Sequence, residues 1–328
     1  MLGYLTKRAL WAIPTLVFVS FISFVIIQLP PGDYITAYAA QLRHGGEYLT
    51  EAQEAAMRQQ YGLNDPILVQ YWRWISNILL RGDFGHSLEW NAPVSSLIWE
   101  RLGLTLAIST LSMVFTWIIA IPVGVYAATR QYSLFDYLFT IFGFLGKGIP
   151  DFLLALILMW LGFTWLNMDV GGLLSPRYES APWTFDKVLN LLSHLWIPVV
   201  VLATGGAAGL IRVMRANMLD EMGKPYVETA YAQGLSERQV VWGYPVRVAL
   251  NPFISTVGWA LPALFSGDVI TAVVLNLPTT GPLLLQALKM QDMYLAGSFI
   301  LILSVFTVVG TLVSDVLLAW SDPRIRYA

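Results

Sequence analysis

The sequence predicts an all-α integral membrane protein with six transmembrane helices, and its composition is the first indication. Hydrophobic residues make up 56% of the 328 residues, charged residues only 12%, and the mean hydropathy is +0.61. A soluble domain carries about 25% charged residues, so these values are typical of a chain in contact with membrane lipid. The formal net charge of −2 excludes a broad nucleic-acid-binding surface, and the absence of cysteine excludes disulfides and thiolate chemistry.

Six hydrophobic segments are long enough to cross a bilayer, whose apolar core requires about 20 residues of helix. The first segment follows Lys7 and Arg8 and resembles a signal peptide. It is too long for one and has no small-residue cleavage site, so we predict a retained helix. The segments cover approximately residues 10–29, 104–127, 137–166, 194–213, 252–275 and 294–320.

The distribution of basic residues predicts that both termini are cytoplasmic, because short cytoplasmic loops retain Lys and Arg. Basic residues precede the first segment, follow the sixth and occur between the fourth and fifth. They are Lys7, Arg8, Arg212, Arg215, Lys224, Arg238, Arg247, Arg324 and Arg326. Four regions follow. They are the cytoplasmic N-terminus with the first span (1–30), an extracytoplasmic helical region (31–103), a five-span core (104–321) with a cytoplasmic loop at about 214–251, and a cytoplasmic tail (322–328).

The extracytoplasmic region contains two predicted helices. Thr50 is a good N-cap for a helix that reaches Tyr61, and Gly62 is placed to end it. Pro66 then begins an amphipathic segment. Its predicted apolar face consists of Leu68, Tyr71, Trp72, Trp74 and Ile75. This pattern fits either a small helical cap on the membrane surface or an interfacial hairpin anchored by tryptophan.

The loop between the fourth and fifth segments predicts a short helix, a glycine turn and a second helix. Residues 226–233 are rich in small side chains, and Gly234 favours the left-handed conformation that ends a helix. Ser236 and Gln239 have the spacing of a capping box. Such a module could fill a groove on a soluble partner. The alternative is a structured connection that only joins two spans.

Several motifs in this chain resemble those of ATP-binding-cassette (ABC) importer permeases. Glu228-Thr229-Ala230, three residues and then Gly234 resembles their Glu-Ala-Ala-x-x-x-Gly coupling motif. The longer segment 226–237 is similar to the peptide/opine/nickel subfamily. Further motifs of that subfamily occur in order along nearly the whole chain, at residues 31–33, 61–66, 82–87, 149–152 and 322–326.

This resemblance implies a permease subunit that forms half of an importer pore in a bacterial or archaeal cytoplasmic membrane. The implied partners are a second homologous permease, two ATPase subunits and an extracytoplasmic solute-binding protein. ATP and Mg²⁺ would bind to the ATPase subunits. This chain has no G-x-x-x-x-G-K-S/T loop, so we expect neither a cofactor nor an enzymatic activity in it. The implied coupling residues are Tyr226, Glu228, Thr229, Ala230, Gly234, Leu235 and Ser236.

The resemblance implies oligopeptides as substrates, with oligosaccharides as the alternative. The chain departs from the subfamily pattern at residues 271–274 and 277–281, in a loop near the expected outer gate. A remote alternative is an ATP-independent secondary transporter or channel. Those proteins usually contain an inverted repeat or a symmetric filter, and neither is recognisable in this sequence.

Charged residues within membrane spans are costly and commonly functional, and three such residues in the predicted spans are candidates for pore or gate positions. Lys147 and Asp151 are four residues apart, which predicts a shared helical face. They could form a self-neutralising structural pair or line the pore. Asp268 in the fifth segment is a further candidate for a pore or gate position.

Overall fold

The structure of the chain is a computed structural model that describes residues 2–254 and 269–321. In this part of the chain the architecture is helical, with one short antiparallel ladder between strands β1 (His86–Ser87) and β2 (Ala92–Pro93). The helices are α1 (Leu2–Gln28), α2 (Tyr34–His44), α3 (Glu51–Gln60), α4 (Ile67–Arg81), α5 (Val94–Thr129), α6 (Leu134–Gly148), α7 (Asp151–Leu166), α8 (Pro176–Glu179), α9 (Phe185–Met222), α10 (Pro225–Ala232), α11 (Glu237–Gly243), α12 (Pro245–Ala249), α13 (Val269–Val274), α14 (Thr280–Lys289) and α15 (Met293–Ser321).

Within residues 2–254 and 269–321, four helices are long and apolar enough to cross a membrane, which makes this a multi-span membrane protein. They are α1 from Leu10 to Gln28, α5, α9, and α15 from Met293 to Leu317. The consecutive helices α6 and α7 would form a fifth span if they are taken together. The predicted fifth segment, at 252–275, falls largely on residues 255–268, outside the described part of the chain. The count of six therefore stays a prediction.

The third predicted span is not a continuous helix. Helix α6 ends at Gly148, α7 begins at Asp151, and the two axes differ by 102°. Pro150 explains the break, because proline has no N–H to donate and disfavours a helical conformation in the residue before it. Ile149 is accordingly extended, with φ −91° and ψ 123°. The prediction that Lys147 and Asp151 share a helical face was wrong.

Other helix bounds also differ from the expected ones. Helix α9 runs from Phe185 to Met222, so Arg212 and Arg215 lie inside it rather than in a loop. Helix α5 begins at Val94, before the expected start of the second span. Helix α14 occupies a segment that the sequence suggested was only a loop, and α2 had not been predicted.

The chain divides into two compact units. The first consists of residues 1–104 and 279–309. Its core surrounds Trp74 of α4, whose ring stacks on Phe24 of α1 at 5.4 Å between ring centroids. The indole N–H of Trp74 donates to the hydroxyl of Ser298 in α15 at 3.4 Å. Helices α1, α4 and the first part of α15 therefore share one buried cluster.

A buried carboxylate fixes the β1–β2 hairpin in the first unit. Asp292, which immediately precedes α15, is fully buried. Its Oδ2 accepts hydrogen bonds from the Ser87 hydroxyl at 2.6 Å and from the Leu88 N–H at 3.0 Å. Its Oδ1 accepts from the N–H of Leu295 at 3.2 Å. One side chain thus caps α15 and holds the hairpin against it.

The predicted helix starts at Thr50 and Pro66 were correct. The Gln53 N–H donates to the Thr50 hydroxyl at 3.3 Å, and the Thr50 N–H donates to the Gln53 amide oxygen at 2.9 Å. Helix α4 starts after Pro66 and ends at Gly82, which has φ +65°. The predicted apolar face of α4 was only partly buried, because Leu68 and Trp72 are exposed.

The second unit consists of residues 105–278 and 310–328, and α9 is its central helix. Glycines allow the neighbouring helices to approach α9 closely. A Cβ at Gly124 of α5 would lie 2.5 Å from the Cβ of Met214, and one at Gly146 of α6 would lie 2.9 Å from Thr204. At the start of α6, buried Asp136 pairs with Arg215 of α9 at 3.2 Å. These contacts attach α5 and α6 to one face of α9.

Candidate functional site

The predicted helix, glycine turn and second helix are present in the structure. Helix α10 ends at Ala232, Gly234 adopts φ +79°, and α11 begins at Glu237. The Ser236 N–H and hydroxyl lie 3.0 and 2.7 Å from the Gln239 amide oxygen, so the predicted capping interaction forms. We call residues 225–243 the helix-turn module.

The helix-turn module has a small core of its own. Val227 and Ala230, three residues apart on one face of α10, are buried against Val240 of α11. Leu235, in the turn, is half-buried against the same cluster. The Ala230 methyl group therefore faces inward and stabilises the module, while the outer surface is formed by other side chains.

The opposite face of α10 is exposed. Its exposed side chains are Tyr226, Glu228, Thr229, Tyr231 and Ala232. Exposed tyrosines are enriched at protein interfaces because they combine a large apolar ring with a hydrogen-bonding group. Gly234 and Ser236 continue this surface around the turn. The arrangement presents a mixed aromatic and polar surface.

A buried carboxylate joins α10 to the end of α9. Glu221, in the last turn of α9, is buried, and its two carboxylate oxygens accept hydrogen bonds from the Lys224 ammonium and the Tyr226 hydroxyl. Burial and the hydrogen bond to Glu221 raise the pKa of Tyr226 above its ordinary value, so the phenol remains a donor. The angle between the two helices is therefore fixed by side chains and not only by the backbone.

Helix α12, which the sequence did not lead us to expect, anchors the module to the membrane helices. Val246 of α12 and Val241 of α11 are buried together with Met214 and Met218 of α9. The only local sequence signal for α12 was Pro245, a residue favoured in the first turn of a helix. The module is therefore attached to α9 through both Glu221 and this apolar cluster.

Two of the predicted pore residues, Lys147 and Asp151, belong to helices α6 and α7 and not to the helix-turn module. Lys147 is exposed in the last turn of α6, and Asp151 is the first residue of α7. The Asp151 carboxylate lies against α9, because a Cβ added at Gly205 would be 3.1 Å from both of its oxygens. Asp268 lies outside the described residues. Within 2–254 and 269–321, no three His, Asp or Glu side chains are grouped to hold a metal ion.

The described chain thus combines several helices able to span a membrane with an exposed helix-turn module attached to the end of α9. Residues 120–327 match the family described as binding-protein-dependent transport system inner membrane component. Residues 1–109 match the N-terminal region of the membrane component of such systems. The chain belongs to this family of permease subunits.

Three relatives match over the full length of both proteins. The chain is 35% identical over 328 residues to the oligopeptide transport system permease protein AppB of Bacillus subtilis (strain 168). It is 30% identical over 340 residues to the dipeptide transport system permease protein DppB of Alkalihalophilus pseudofirmus. It is 33% identical over 328 residues to the glutathione transport system permease protein GsiC of Salmonella paratyphi A. In each case the match covers 100% of both chains.

Proposed function

We propose that this chain forms half of the translocation pore of an ATP-driven importer for short peptides. The proposal is supported by full-length similarity to permeases named for oligopeptides, a dipeptide system and glutathione, which is itself a short peptide. The oligosaccharide alternative has no comparable support among these three relatives. The remaining pore half would be a second, homologous permease subunit.

The observation that carries this proposal is the construction of the helix-turn module. The apolar side chains of the module pack against each other in its interior. The exposed face of α10 presents Tyr226, Glu228, Thr229 and Tyr231. This face would insert into a groove on an ATPase subunit, in the helix-in-groove manner. Gly234, Leu235 and Ser236 would hold the orientation of α10 relative to α11, and Ala230 would support it from inside.

Transport then requires that movement of the ATPase subunits reaches the pore. When ATP closes the two ATPase subunits, the docked module would move as a rigid body. Glu221 and the cluster around Met214 and Val246 would transfer that movement to α9. Helices α5 and α6 would follow because they pack against α9 without intervening space at Gly124 and Gly146. The pore would thereby alternate between its two access states.

The orientation of the chain follows from the same proposal. The helix-turn module and both termini would be cytoplasmic, and ATP with Mg²⁺ would bind in the two ATPase subunits. A solute-binding protein would deliver the peptide to the opposite side of the bacterial cytoplasmic membrane. The extracytoplasmic residues would then include α2, α3, α4 and the β1–β2 hairpin.

Lys147, Asp151 and Asp268 remain candidates for pore or gate positions. The break between α6 and α7 supports the proposal for the first two, because interrupted helices at membrane depth occur where backbone groups are buried in protein or line a water-filled cavity. We expect Asp151→Asn to reduce peptide uptake while the assembled transporter remains intact. Unchanged uptake kinetics in this variant would assign Asp151 a structural role only.

Reconstitution tests the proposed function. The chain would be purified with its second permease and ATPase subunits, placed in liposomes and supplied with the solute-binding protein. We expect ATP-dependent uptake of labelled di- to pentapeptides and no uptake of maltooligosaccharides. Uptake of the sugars alone would favour the alternative substrate. Copurification without any ATPase, or uptake without ATP, would contradict the importer proposal.

A further inference from the structure

Helix α4 has three distinct flanks, and the first packs against the spanning helix α1. The Tyr71 hydroxyl and the Ser20 hydroxyl share a hydrogen bond of 2.8 Å, and Trp74 stacks on Phe24. The Gln28 amide donates to the Gln70 side chain at 3.2 Å. These contacts fix α4 across the second half of α1.

The second flank of α4 is apolar but exposed. Leu68, Trp72 and Leu79 are 66%, 71% and 75% exposed, and Ile75 is half-buried between them. Their spacing of three and four residues places all four on one side of the helix, next to the buried flank. A continuous exposed apolar strip marks a surface that contacts membrane lipid or another protein. We call these four residues the outer strip.

The third flank of α4 carries polar residues that face water, with exposed Val69 and Leu80 between them and the outer strip. Arg73 and Asn77 line an open cavity of about 450 Å³ together with Asp65, Asp83 and His86. Arg73 pairs with Asp65 at 2.6 Å. The helix therefore has a hydrated side and an apolar side, as amphipathic helices that lie in a membrane interface do.

The contacts with α1 set the depth of α4 relative to the bilayer. The hydrophobic part of α1 ends at Gln28. Ser20 lies eight residues before that end, which corresponds to about 12 Å along a helix. The bonds of Gln70 to Gln28 and of Tyr71 to Ser20 therefore place the first turns of α4 between the end of the span and about 12 Å below it, in the leaflet on the Gln28 side. The opposite surface of α1, at Phe18, Ile22 and Ile26, is also apolar and exposed.

We propose that the outer strip of α4 lies in the leaflet on the side of residues 31–93, against phospholipid acyl chains near their headgroups. Depth, amphipathic pattern and Trp72, a residue type enriched at the headgroup level, favour lipid over a second protein subunit as the occupant. The proposal requires that α1 spans the membrane and does not depend on the transported substrate.

The absence of native cysteine allows this proposal to be tested with single nitroxide labels. Leu68→Cys and Leu79→Cys place the label on the outer strip, and Asn77→Cys is the matched control on the hydrated flank of the same helix. Each variant is studied as the assembled transporter in phospholipid vesicles. Collision of the label with oxygen, which partitions into lipid, is compared with collision with a water-soluble nickel chelate.

We expect labels at 68 and 79 to favour oxygen over the nickel chelate by several-fold more than the label at 77. Equal or greater access of the nickel chelate at 68 and 79 would show a hydrated strip and overturn the proposal. Low access of both reagents would show that protein covers the strip, as the second permease subunit would, and would also overturn it. Two independent strip positions keep the test informative if one variant fails to assemble.

Discussion

The Tyr226 hydroxyl donates a hydrogen bond to the carboxylate of Glu221 across the turn between α9 and α10. Lys224 donates to the second carboxylate oxygen, so the last turn of a membrane helix holds the first turn of the proposed docking helix. Bonds of this kind to a buried charged acceptor are stronger than neutral ones. The relationship makes Glu221 a positioning residue for the docking face.

Glu221→Gln tests whether this link carries movement. We expect loss of about 2 kcal/mol in the stability of the α9–α10 connection, since hydrogen bonds to charged groups contribute about 1.5–3 kcal/mol. ATP hydrolysis stimulated by the loaded solute-binding protein should fall several-fold in liposomes, whereas basal hydrolysis and subunit copurification should remain.

Asp220→Asn is the matched control, because it removes the same charge from the neighbouring, exposed position. Tyr226→Phe and Tyr231→Phe form a second pair, in which only the first loses the bond to Glu221. Equal effects within either pair would argue against Glu221 as the link.

Gly234→Ala should distort the helix-turn module. The left-handed backbone at Gly234, with φ +79°, costs a residue with a side chain about 1–2 kcal/mol. We expect faster proteolysis between α10 and α11 and a weaker stimulation of ATP hydrolysis. Gly223→Ala is the control, because Gly223 has φ −83° and no atom crowds its Cβ position. Comparable proteolysis of both variants would contradict the prediction.

Ala230→Trp, by contrast, is a poor test of docking. Ala230 faces Val227 and Val240 inside the module, so a bulky side chain would disrupt the module itself. Loss of ATPase stimulation in that variant would not distinguish a missing contact from a misfolded helix.

Gly124→Ala should destabilise the packing of α5 on α9. The added Cβ would lie 2.5 Å from the Cβ of Met214 and 3.0 Å from the Ile211 carbonyl oxygen, so the helices must separate. We expect a cost of about 1–3 kcal/mol, as for other overpacked cores, and a lower midpoint of thermal unfolding in detergent.

For Gly103→Ala, in the same helix α5, we expect no decrease in the midpoint of thermal unfolding. No atom crowds its Cβ position, and alanine favours a helix by about 1 kcal/mol over glycine. The unfolding midpoint should therefore stay unchanged or rise. A lower midpoint for Gly103→Ala than for Gly124→Ala would refute the proposed packing.

Acidification should loosen the contact between α2 and α3. Burial of Asp33 alone would raise its pKa, but hydrogen bonds from Arg58 and Thr36 outweigh burial and lower the pKa below its ordinary value. The stability from this carboxylate is therefore present above its unfolded-state pKa and is lost as pH falls through the folded-state pKa. Hydrogen exchange in α2 should accelerate over that range.

Arg58→Gln supplies the control for this pH effect. It removes the ion pair with Asp33 at 2.7 Å but leaves the bonds to Thr36. The acceleration of hydrogen exchange in α2 at low pH should therefore be smaller in this variant than in the unmodified chain. A pH profile identical to that of the unmodified chain would exclude the Asp33–Arg58 pair as its cause.

Structural features that depend on residues close together in the sequence could be predicted from it. The caps at Thr50 and Ser236 and the turn at Gly234 follow from local backbone chemistry, and long apolar runs locate α1 and α15. Pro150 disfavours a continuous helix, but the 102° bend between α6 and α7 depends on tertiary packing that no local pattern contains. The bond from Tyr226 to Glu221 and the burial of Ala230 against Val240 were not predicted, because they depend on the orientation of α10 relative to α9 and α11.

The bonds between Asp292 and the β1–β2 hairpin have a consequence for biosynthesis. Ser87 and Leu88 find their acceptor about 200 residues later in the chain, so the first unit cannot be completed during synthesis of its N-terminal part. The hairpin can form its hydrogen bonds to Asp292 only after the chain has been synthesised beyond that residue. Nascent chains that stop before residue 292 should therefore keep residues 86–93 open to proteases, however many earlier spans have already been inserted.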